Sequence, residues 1–384
     1  MMQKDGQTGS LSRRILYIAL KTLVYFVVIN CVYAVLQPTP LIARLTVYHS
    51  LVPPRARFSL YNDSGNAVGV IQLDEMFATH EISSPPQPDE FRVGMFGPSS
   101  IWGFGVNWDN TVTACINKQQ ARMPDGRRIH AFNLAMPLPS VIRDLMLMHR
   151  AVNYHLDAMY WFIGGVGIFR PHTFIASPVI TANPNDLYAI LDRYPIRLPA
   201  GQTLPDRQPS FLDRTLIGER DVLATWLQDQ LAGIRLAQSN QDFGPLLDLH
   251  YNPNPRDEDN LFFLDRHWSQ GEVGPDDFAL DAVNAGNDLA KDSGVPLTIL
   301  DEPMWISPPG LYKIRYNPYY PRWYFDLLNQ SLDQAAKVNH WNFYHWYNAL
   351  DNAYFTDSPF HFTSEGACIL ANKLIPLIQQ SQKS

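Results

Sequence analysis

One long apolar stretch stands out near the start of the chain. Residues 15–36 contain a single charged residue, Lys21. A helix of this length extends roughly 30 Å, which matches the hydrocarbon core of a bilayer. Lys21 lies close enough to the N-terminal end for its side chain to reach the headgroups. The pattern predicts an uncleaved transmembrane anchor. A cleaved signal peptide or a buried core helix are the alternatives, but the stretch is long for a signal and no small-x-small cleavage site follows it.

From residue 91 onward, short apolar runs alternate with segments of helical periodicity. This alternation predicts a parallel sheet with helices on both faces. The predicted strands cover residues 91–96, 128–134, 157–163 and 295–300. The predicted helices cover residues 110–122, 140–154, 219–237, 278–292, 321–338 and 364–380.

These patterns divide the chain into an N-terminal tail (residues 1–14), an anchor (15–36), a juxtamembrane linker (37–90) and an α/β domain (91–384). Within the domain, residues 166–294 form an insertion that we expect to cap the sheet edge. In the linker, apolar residues recur at helical spacing from Leu41 to Val52. This spacing fits either a helix on the membrane surface or an ordered segment packed on the domain.

Composition and charge indicate a folded domain that does not bind nucleic acid. The 384 residues are 46% hydrophobic with a formal net charge of −7, which supports a sizeable core and argues against a nucleic-acid partner. Lys21 favours a cytoplasmic N-terminus, so we expect residues 38–384 to be extracytoplasmic on a single-pass protein of the cell membrane.

The chain has three cysteines. Cys31 lies in the anchor, whereas Cys115 and Cys368 fit either a disulfide or two buried thiols.

Candidate chemistry follows two of the predicted strands. Ser99 comes just after the first strand, at a tight turn into a helix, where its hydroxyl is presented and its N–H can face an oxyanion. The alternative is that this serine only caps the helix. Ala135, after the second strand, is small enough for its backbone N–H to approach a ligand.

The third candidate segment precedes the last predicted helix. Asp357 and His361 lie on one short loop, and together they supply a general base and the carboxylate that orients it. Taken alone, the pair is better explained by an aspartate that caps a turn and a packed core histidine. Because ligands gather at the carboxyl ends of parallel strands, we expect Ser99 and His361 to meet there.

Together these segments resemble the blocks of the SGNH (GDSL-like) hydrolase superfamily. The first block, Gly-Asp-Ser-x-x-x-Gly, is similar to residues 97–103, with Pro98 in place of Asp. The last block resembles residues 357–366, although Asp357 and His361 are four positions apart where the family has three. Ala135 stands where the second block has Gly, and residues 164–167 lack the Asn of the third block. Glu302 and Asp351 are therefore alternative partners for the histidine.

The resemblance implies a flavodoxin-like three-layer α/β/α fold with a helical insertion, here behind an N-terminal transmembrane helix. It implies a Ser-His-Asp triad of Ser99, His361 and Asp357, with the backbone N–H groups of Ser99 and Ala135 as the oxyanion hole. No cofactor and no metal ion are expected. His340 and His345 are five residues apart without a carboxylate at metal-ligand spacing, so they are a weak candidate for a metal site.

The implied function is a membrane-anchored serine esterase or O-acyltransferase that acts on acyl esters of the cell envelope. The expected partners are the lipid bilayer, through residues 15–36, and an acylated glycan or lipid substrate. By analogy with anchored SGNH proteins that modify envelope polymers, a membrane-bound O-acyltransferase is a further candidate partner. The alternative is a catalytically inactive SGNH-like module that serves as a scaffold or binds glycan, which the missing Asn and Pro98 favour.

Overall fold

A computed structural model describes residues 5–58, 60–63, 66–69, 71–173, 177–199, 201–239, 250–251, 259–263 and 266–381. The helices are α1 (Asp5–Leu36), α2 (Thr39–Ala43), α3 (Leu73–Thr79), α4 (Ser99–Trp102), α5 (Val112–Lys118), α6 (Val141–Ala151), α7 (Gly165–Ile168), α8 (Arg170–Thr173), α9 (Pro178–Ala182), α10 (Pro184–Arg193), α11 (Arg220–Ser239), α12 (Leu280–Ser293), α13 (Arg322–Asn339) and α14 (Ser364–Gln380).

The strands are β1 (Leu60–Asp63), β2 (Asn66–Gly69), β3 (Glu90–Phe96), β4 (Arg128–Asn133), β5 (Ala158–Ile163), β6 (Leu261–Phe263), β7 (Arg266–Trp268), β8 (Leu297–Asp301) and β9 (Asn342–Tyr344). Short 3-10 turns lie at Glu81–Ser83, Trp108–Asn110, Val152–Tyr154, Pro275–Asp277 and Asn352–Tyr354. The pairs β1–β2 and β6–β7 are antiparallel hairpins outside the main sheet.

The main sheet has five strands in the order β4-β3-β5-β8-β9, and every neighbouring pair is parallel. Numbered along the chain, this is the order 2-1-3-4-5 of flavodoxin-like sheets, in which ligands bind beyond the carboxyl ends of the strands. The structure therefore has the predicted fold class, a flavodoxin-like α/β domain. Because all five strands run the same way, the loops after β3, β4, β5, β8 and β9 leave from one edge.

Helices cover both faces of this sheet. In β5, side chains alternate between the two cores, with Trp161 in one and Tyr160 in the other, as the two-residue period of a strand requires. Helices α6, α12 and α13 contribute to the first core, and α5 and α14 to the second. The result is the expected three-layer arrangement.

The fifth strand was not predicted. β9 has three residues, lies at the sheet edge and is largely exposed, so it shows no clear alternation. The sequence analysis had singled out this region only for His340 and His345. Pairing with β8 is what makes it a strand.

Helix α1 is longer than the predicted anchor. Within the described residues, one helix segment, Arg13–Leu36, is long and apolar enough to cross a membrane, with a mean hydropathy of 2.1. After α2 the chain does not continue as a helix but turns, and Tyr48 forms an isolated bridge with Val52. Tyr48 is buried whereas Leu45 is exposed, so the linker is an ordered segment that packs partly on the domain.

The longer helices of the insertion pack in three different places. Helix α12 is a crossover helix on the sheet, where Gly286 allows close approach to Trp161. Helices α9 and α10 pack beside α6, and α11 packs against the juxtamembrane linker. Tyr251 donates its N–H to the Phe355 carbonyl, close to Asp357, but residues 240–249 and 252–258 lie outside the described residues. The cap over Ser99 stays a prediction.

Cys115 and Cys368 are joined in a disulfide between α5 and α14, with their Cα atoms 5.1 Å apart. These helices pack side by side on one face of the sheet. The sequence had left this pairing open. Disulfides persist in oxidising compartments, so the bond agrees with an extracytoplasmic position for the domain.

Candidate active site

The turn that carries Ser99 follows β3 directly. Gly97 has a φ of +146°, and a Cβ atom there would lie 2.8 Å from the Phe162 carbonyl oxygen. Pro98 is extended, Ser99 is the first residue of α4, and Gly103 ends this helix with a φ of +90°. Both glycines of the predicted first block are therefore required by backbone geometry, and the turn forms with Pro98 in the second position.

Side chains from neighbouring segments hold this turn. Arg57 Nη1 donates to the carbonyls of Trp102 (3.2 Å) and Gly103 (2.7 Å), and the guanidinium lies 3.9 Å from the Trp102 ring centroid. Asn133 Nδ2, at the end of β4, donates to the carbonyls of Ile101 and Trp102, both at 3.1 Å. These bonds satisfy the C-terminal carbonyls of α4 and hold Ser99 rigidly at the sheet edge.

The structure brings Ser99, His361 and Asp357 together. Ser99 Oγ lies 2.8 Å from His361 Nε2, and His361 Nδ1 lies 2.9 Å from Asp357 Oδ1. A serine hydroxyl, an imidazole and a carboxylate thus form one chain of hydrogen bonds across 262 positions of sequence. This is the geometry in which a histidine can remove the serine proton while a carboxylate stabilises the imidazolium.

Local hydrogen bonds shape the loop that carries the histidine. Ser358 Oγ accepts the N–H groups of Phe360 (3.3 Å) and His361 (3.1 Å), a turn that brings His361 back toward Asp357. Thr356 Oγ1 donates to Asp357 Oδ1 at 3.1 Å. Partial burial alone would raise the pKa of Asp357, but the hydrogen bonds from His361 and Thr356 outweigh it and hold that pKa below its ordinary value. Asp357 is thus ionised at neutral pH.

The two backbone N–H groups that were expected to bind the oxyanion, those of Ser99 and Ala135, are not equally free to do so. As the first residue of α4, Ser99 has a backbone N–H without an intrahelical partner. Ala135 is completely buried, and its N–H donates to Asn133 Oδ1 at 3.3 Å. Its loop is held by Arg143, whose guanidinium donates to the carbonyls of Met136, Pro137 and Leu138. An oxyanion would have to compete with Asn133 for the Ala135 N–H.

The segment after β5 begins a short helix, α7, where the family has its third block. Val166 donates its N–H to Tyr320 Oη at 2.9 Å, and the Tyr324 hydroxyl donates to the Gly165 carbonyl at 2.9 Å. These two buried tyrosines of the β8–α13 connection and α13 hold the segment in place of an asparagine side chain. The sequence analysis did not single them out, and a motif search centred on Asn has no signal that would find them.

Glu302 and Asp351, the alternative acids, both have other partners. Glu302 is buried at the end of β8, and its Oε1 accepts the Ser100 hydroxyl at 2.5 Å. Asp351 is exposed and accepts the N–H of Ala353 at 2.9 Å, so it caps a 3-10 turn. Asp357 is thus the carboxylate that contacts His361, whereas Glu302 anchors the residue next to Ser99.

Burial raises the pKa of Glu302 to about 8, more than the hydrogen bond from Ser100 lowers it. In the unfolded chain Glu302 loses its proton near its ordinary pKa, whereas in the folded protein it keeps the proton up to about pH 8. The free energy of unfolding therefore falls as the pH rises between these two pKa values. We expect Glu302→Gln to remove this loss and to gain about 3 kcal/mol over the wild type between about pH 5 and pH 8.

Thermal unfolding of the two proteins across this pH range tests the prediction. Other buried acids, such as Glu75, titrate in both proteins and cancel in the difference. Parallel pH profiles for the wild type and Glu302→Gln would mean that Glu302 is ionised in the folded protein.

His345 is not placed as a metal ligand. Its Nδ1 lies 2.5 Å from Asp301 Oδ2 and its Nε2 2.9 Å from Asp333 Oδ1. The hydrogen bond to Asp301, together with the charges of both carboxylates, outweighs partial burial and raises the pKa of His345 to about 9. The protonated His345, which follows β9, therefore bridges Asp301 of β8 and Asp333 of α13.

Three residues near the candidate triad were given no role at the site by the sequence analysis. The Phe104 ring lies 4.5 Å from the His361 ring, centroid to centroid, and restricts the imidazole. Asn133 and Arg57 hold α4 through the bonds described above. Asn133 lies at a strand end like Ser99, which was the available signal. Phe104 and Arg57 have no sequence signal of this kind, because their role depends on contacts between distant segments.

The fold and these contacts describe a flavodoxin-like α/β protein with a Ser-His-Asp chain at the carboxyl edge of its sheet. No family model matches the chain, and no curated protein matches it. The chain is similar in structure to a GDSL-like lipase from Bacteroides thetaiotaomicron, with 11% identity, 78% of this chain and 95% of that chain covered, and a TM-score of 0.37.

Two further solved structures are similar. For Est24, a carbohydrate acetylesterase from Sinorhizobium meliloti, identity is 9%, coverage is 75% of this chain and 97% of that chain, and the TM-score is 0.34. For an inhibitor-bound aryl esterase of M. smegmatis, identity is 10%, coverage is 75% of this chain and 98% of that chain, and the TM-score is 0.34. At these identities and TM-scores the similarity assigns no activity, which has to be argued from the geometry of this chain.

Proposed function

We propose that the protein is a membrane-anchored serine esterase or O-acyltransferase that acts on acyl esters at the cell envelope. The observation that carries the proposal is the hydrogen-bonded chain from Ser99 Oγ through His361 to Asp357, at 2.8 and 2.9 Å. A serine that only capped a helix would not need a histidine at its hydroxyl oriented by a carboxylate.

In the proposed mechanism, Ser99 Oγ attacks the carbonyl carbon of the acyl ester as His361 Nε2 takes its proton. Asp357 holds the imidazole and stabilises the imidazolium that forms. The Ser99 N–H faces the developing oxyanion. His361 then returns the proton to the leaving alkoxide, and an acyl-serine is left. Attack by water completes hydrolysis, whereas attack by a sugar hydroxyl completes acyl transfer.

The envelope assignment rests on α1 and the disulfide. The apolar segment Arg13–Leu36 is the proposed anchor, with residues 1–14 cytoplasmic and the α/β domain outside. A disulfide between Cys115 and Cys368 supports that topology. An acylated glycan or lipid is the proposed substrate, and a membrane-bound O-acyltransferase the proposed acyl donor for the transferase reaction.

A second candidate function is an inactive scaffold or glycan-binding module. The observation that favours it is the engaged Ala135 N–H together with the missing third-block asparagine, because removing one oxyanion donor typically costs about 3 kcal/mol of transition-state stabilisation.

Labelling of the purified full-length protein with a fluorophosphonate separates the two candidates. The enzyme predicts covalent labelling of Ser99 that is lost in Ser99→Ala and kept in Ser100→Ala, the neighbouring serine that binds Glu302. A folded protein that takes up no probe, or labelling that survives in Ser99→Ala, would favour the scaffold.

A further inference from the structure

Helix α11 buries two polar residues and exposes three large apolar ones in its central turns. Its buried face carries Asp229, which is fully inaccessible, and Gln230 at 6% exposure. Its exposed face carries Leu227, Leu231 and Ile234, with 52%, 51% and 41% exposure and a spacing of four and three residues. A helix of a water-soluble domain shows the opposite pattern, with apolar residues toward the core.

The buried polar face of α11 is bonded to the juxtamembrane linker. Arg55 Nη2 donates to Asp229 Oδ1 at 2.9 Å, and the Val47 N–H donates to Gln230 Oε1 at 2.8 Å. Gly233 allows the Tyr48 ring to lie directly against the helix, since a Cβ there would meet the ring at 2.6 Å. These contacts fix which face of α11 points outward, so the exposed leucines are not the result of a loosely attached helix.

The segment just before α11 packs on the proposed anchor. Asn30 and Ala34 are buried although nearly all their neighbours on α1 are exposed. Asn30 Oδ1 accepts the Ile217 N–H at 3.3 Å, and Glu219 accepts the Tyr33 hydroxyl at 3.4 Å. Asn30 precedes the end of α1 by six residues, so this contact lies about 9 Å along the helix axis from that end.

Most large apolar side chains that are exposed outside α1 gather in this part of the described structure. We call the set from the insertion the insertion surface: Phe211, Leu212, Leu216, Ile217, Leu227, Leu231 and Ile234. Leu41, Leu45 and Leu51 of the linker are exposed as well, and the Trp226 indole donates to the Leu45 carbonyl at 3.0 Å. Large apolar side chains that are exposed on neighbouring segments of a chain mark an interaction site.

We propose that the insertion surface is embedded in the leaflet at the C-terminal end of α1, so that residues 211–234 form a second, non-spanning membrane attachment. The occupant is the lipid acyl region, because the surface is continuous with the apolar face of α1 and reaches below its end through the Asn30–Ile217 bond. This inference rests on the proposed anchoring, but not on the proposed chemistry.

A second attachment would fix the orientation of the domain relative to the membrane. A single helix leaves a domain free to swivel, whereas α1 and α11 together attach it at two places. Because Arg55 and Arg57 lie two residues apart, the same linker that binds α11 also clamps α4. The attachment thereby sets the distance of Ser99 from the bilayer, which suits a substrate held at the membrane.

Photo-crosslinking tests this on the full-length protein in vesicles of phosphatidylethanolamine and phosphatidylglycerol whose acyl chains carry a terminal alkyne. Benzoylphenylalanine replaces Leu227, Leu231 or Val24 of α1, one at a time. Val338 is the matched control: it is apolar and 67% exposed, and it lies in the last turn of α13, which leads into β9 at the sheet edge opposite β4. We expect lipid adducts at 227 and 231 at least about tenfold above position 338.

Each outcome decides between the hypotheses. Adducts at 24, 227 and 231 support the second attachment. Adducts at 24 alone overturn it and leave the anchor intact. Adducts of 227 or 231 with a second copy of the chain or with another protein overturn it in favour of a protein interface. No adduct at 24 contradicts the anchor itself, and fluorophosphonate labelling of the same protein reports separately on the chemistry.

Discussion

Replacement of Asp357 by Asn is expected to lower the rate of fluorophosphonate labelling, and kcat/KM for a simple acyl ester, by about 10³- to 10⁴-fold. The amide occupies the space of the carboxylate, but it carries no charge to stabilise the imidazolium and can favour the wrong tautomer of His361. The bond that is changed is the 2.9 Å contact between His361 Nδ1 and Asp357 Oδ1.

Two matched carboxylates in the same protein serve as controls. Asp351→Asn keeps the cap on Ala353, because an amide oxygen accepts the same N–H, and should leave the rate within about twofold of the wild type. Glu302→Gln keeps a partner for Ser100 and is expected to act on stability rather than on the triad. A full rate in Asp357→Asn together with a loss in either control would show that another acid orients His361.

Removal of the disulfide is expected to have the largest effect on stability. Cys115 and Cys368 are 253 positions apart, so the bond closes a very long loop of the unfolded chain. On the chain-entropy model, the double variant Cys115→Ala/Cys368→Ala should lose about 5 kcal/mol of unfolding free energy. Cys368 also lies about one turn into the helix that follows His361, so the variant loosens the support of the histidine loop.

Denaturant unfolding of the full-length protein in detergent, with and without reductant, measures this loss. Cys31→Ala is the matched control and should change neither the midpoint nor its response to reductant, because Cys31 is a free cysteine on α1. Alkylation without reductant should modify Cys31 alone. Three reactive thiols in protein purified without reductant would contradict the disulfide and remove its support for an extracytoplasmic domain.

The position of the candidate triad could be predicted because it depends on topology. Parallel strands bring their carboxyl ends to one edge, so the turn after β3 and the loop before α14 were expected to meet. Helix α14 has the predicted bounds, Ser364–Gln380. The resemblance implied Asp357 as the acid, but it left Glu302 and Asp351 as alternatives, because only the tertiary contacts show which carboxylate meets His361.

The oxyanion donors show the same limit. Ala135 follows β4, as its sequence position implied, yet its N–H is bonded to Asn133. A backbone N–H is the same group in every sequence, and its availability depends on a side chain elsewhere in the fold. Ser99, at the first position of α4, was easier to predict because helix geometry leaves its N–H without a partner.

Local sequence was enough to predict the features that depend on periodicity or on residue type: the apolar segment of α1, the alternation of strands and helices, and the two glycines around Ser99. Burial repeats every two residues in a strand and every three to four in a helix, so a local pattern records it. Only the tertiary structure decided the pairing of β9, the Ser100–Glu302 and Cys115–Cys368 contacts, and the outward face of α11. Each of these depends on groups far apart in the chain, and α11 was predicted as a helix although its apolar side faces outward, because periodicity does not say which medium a face will meet.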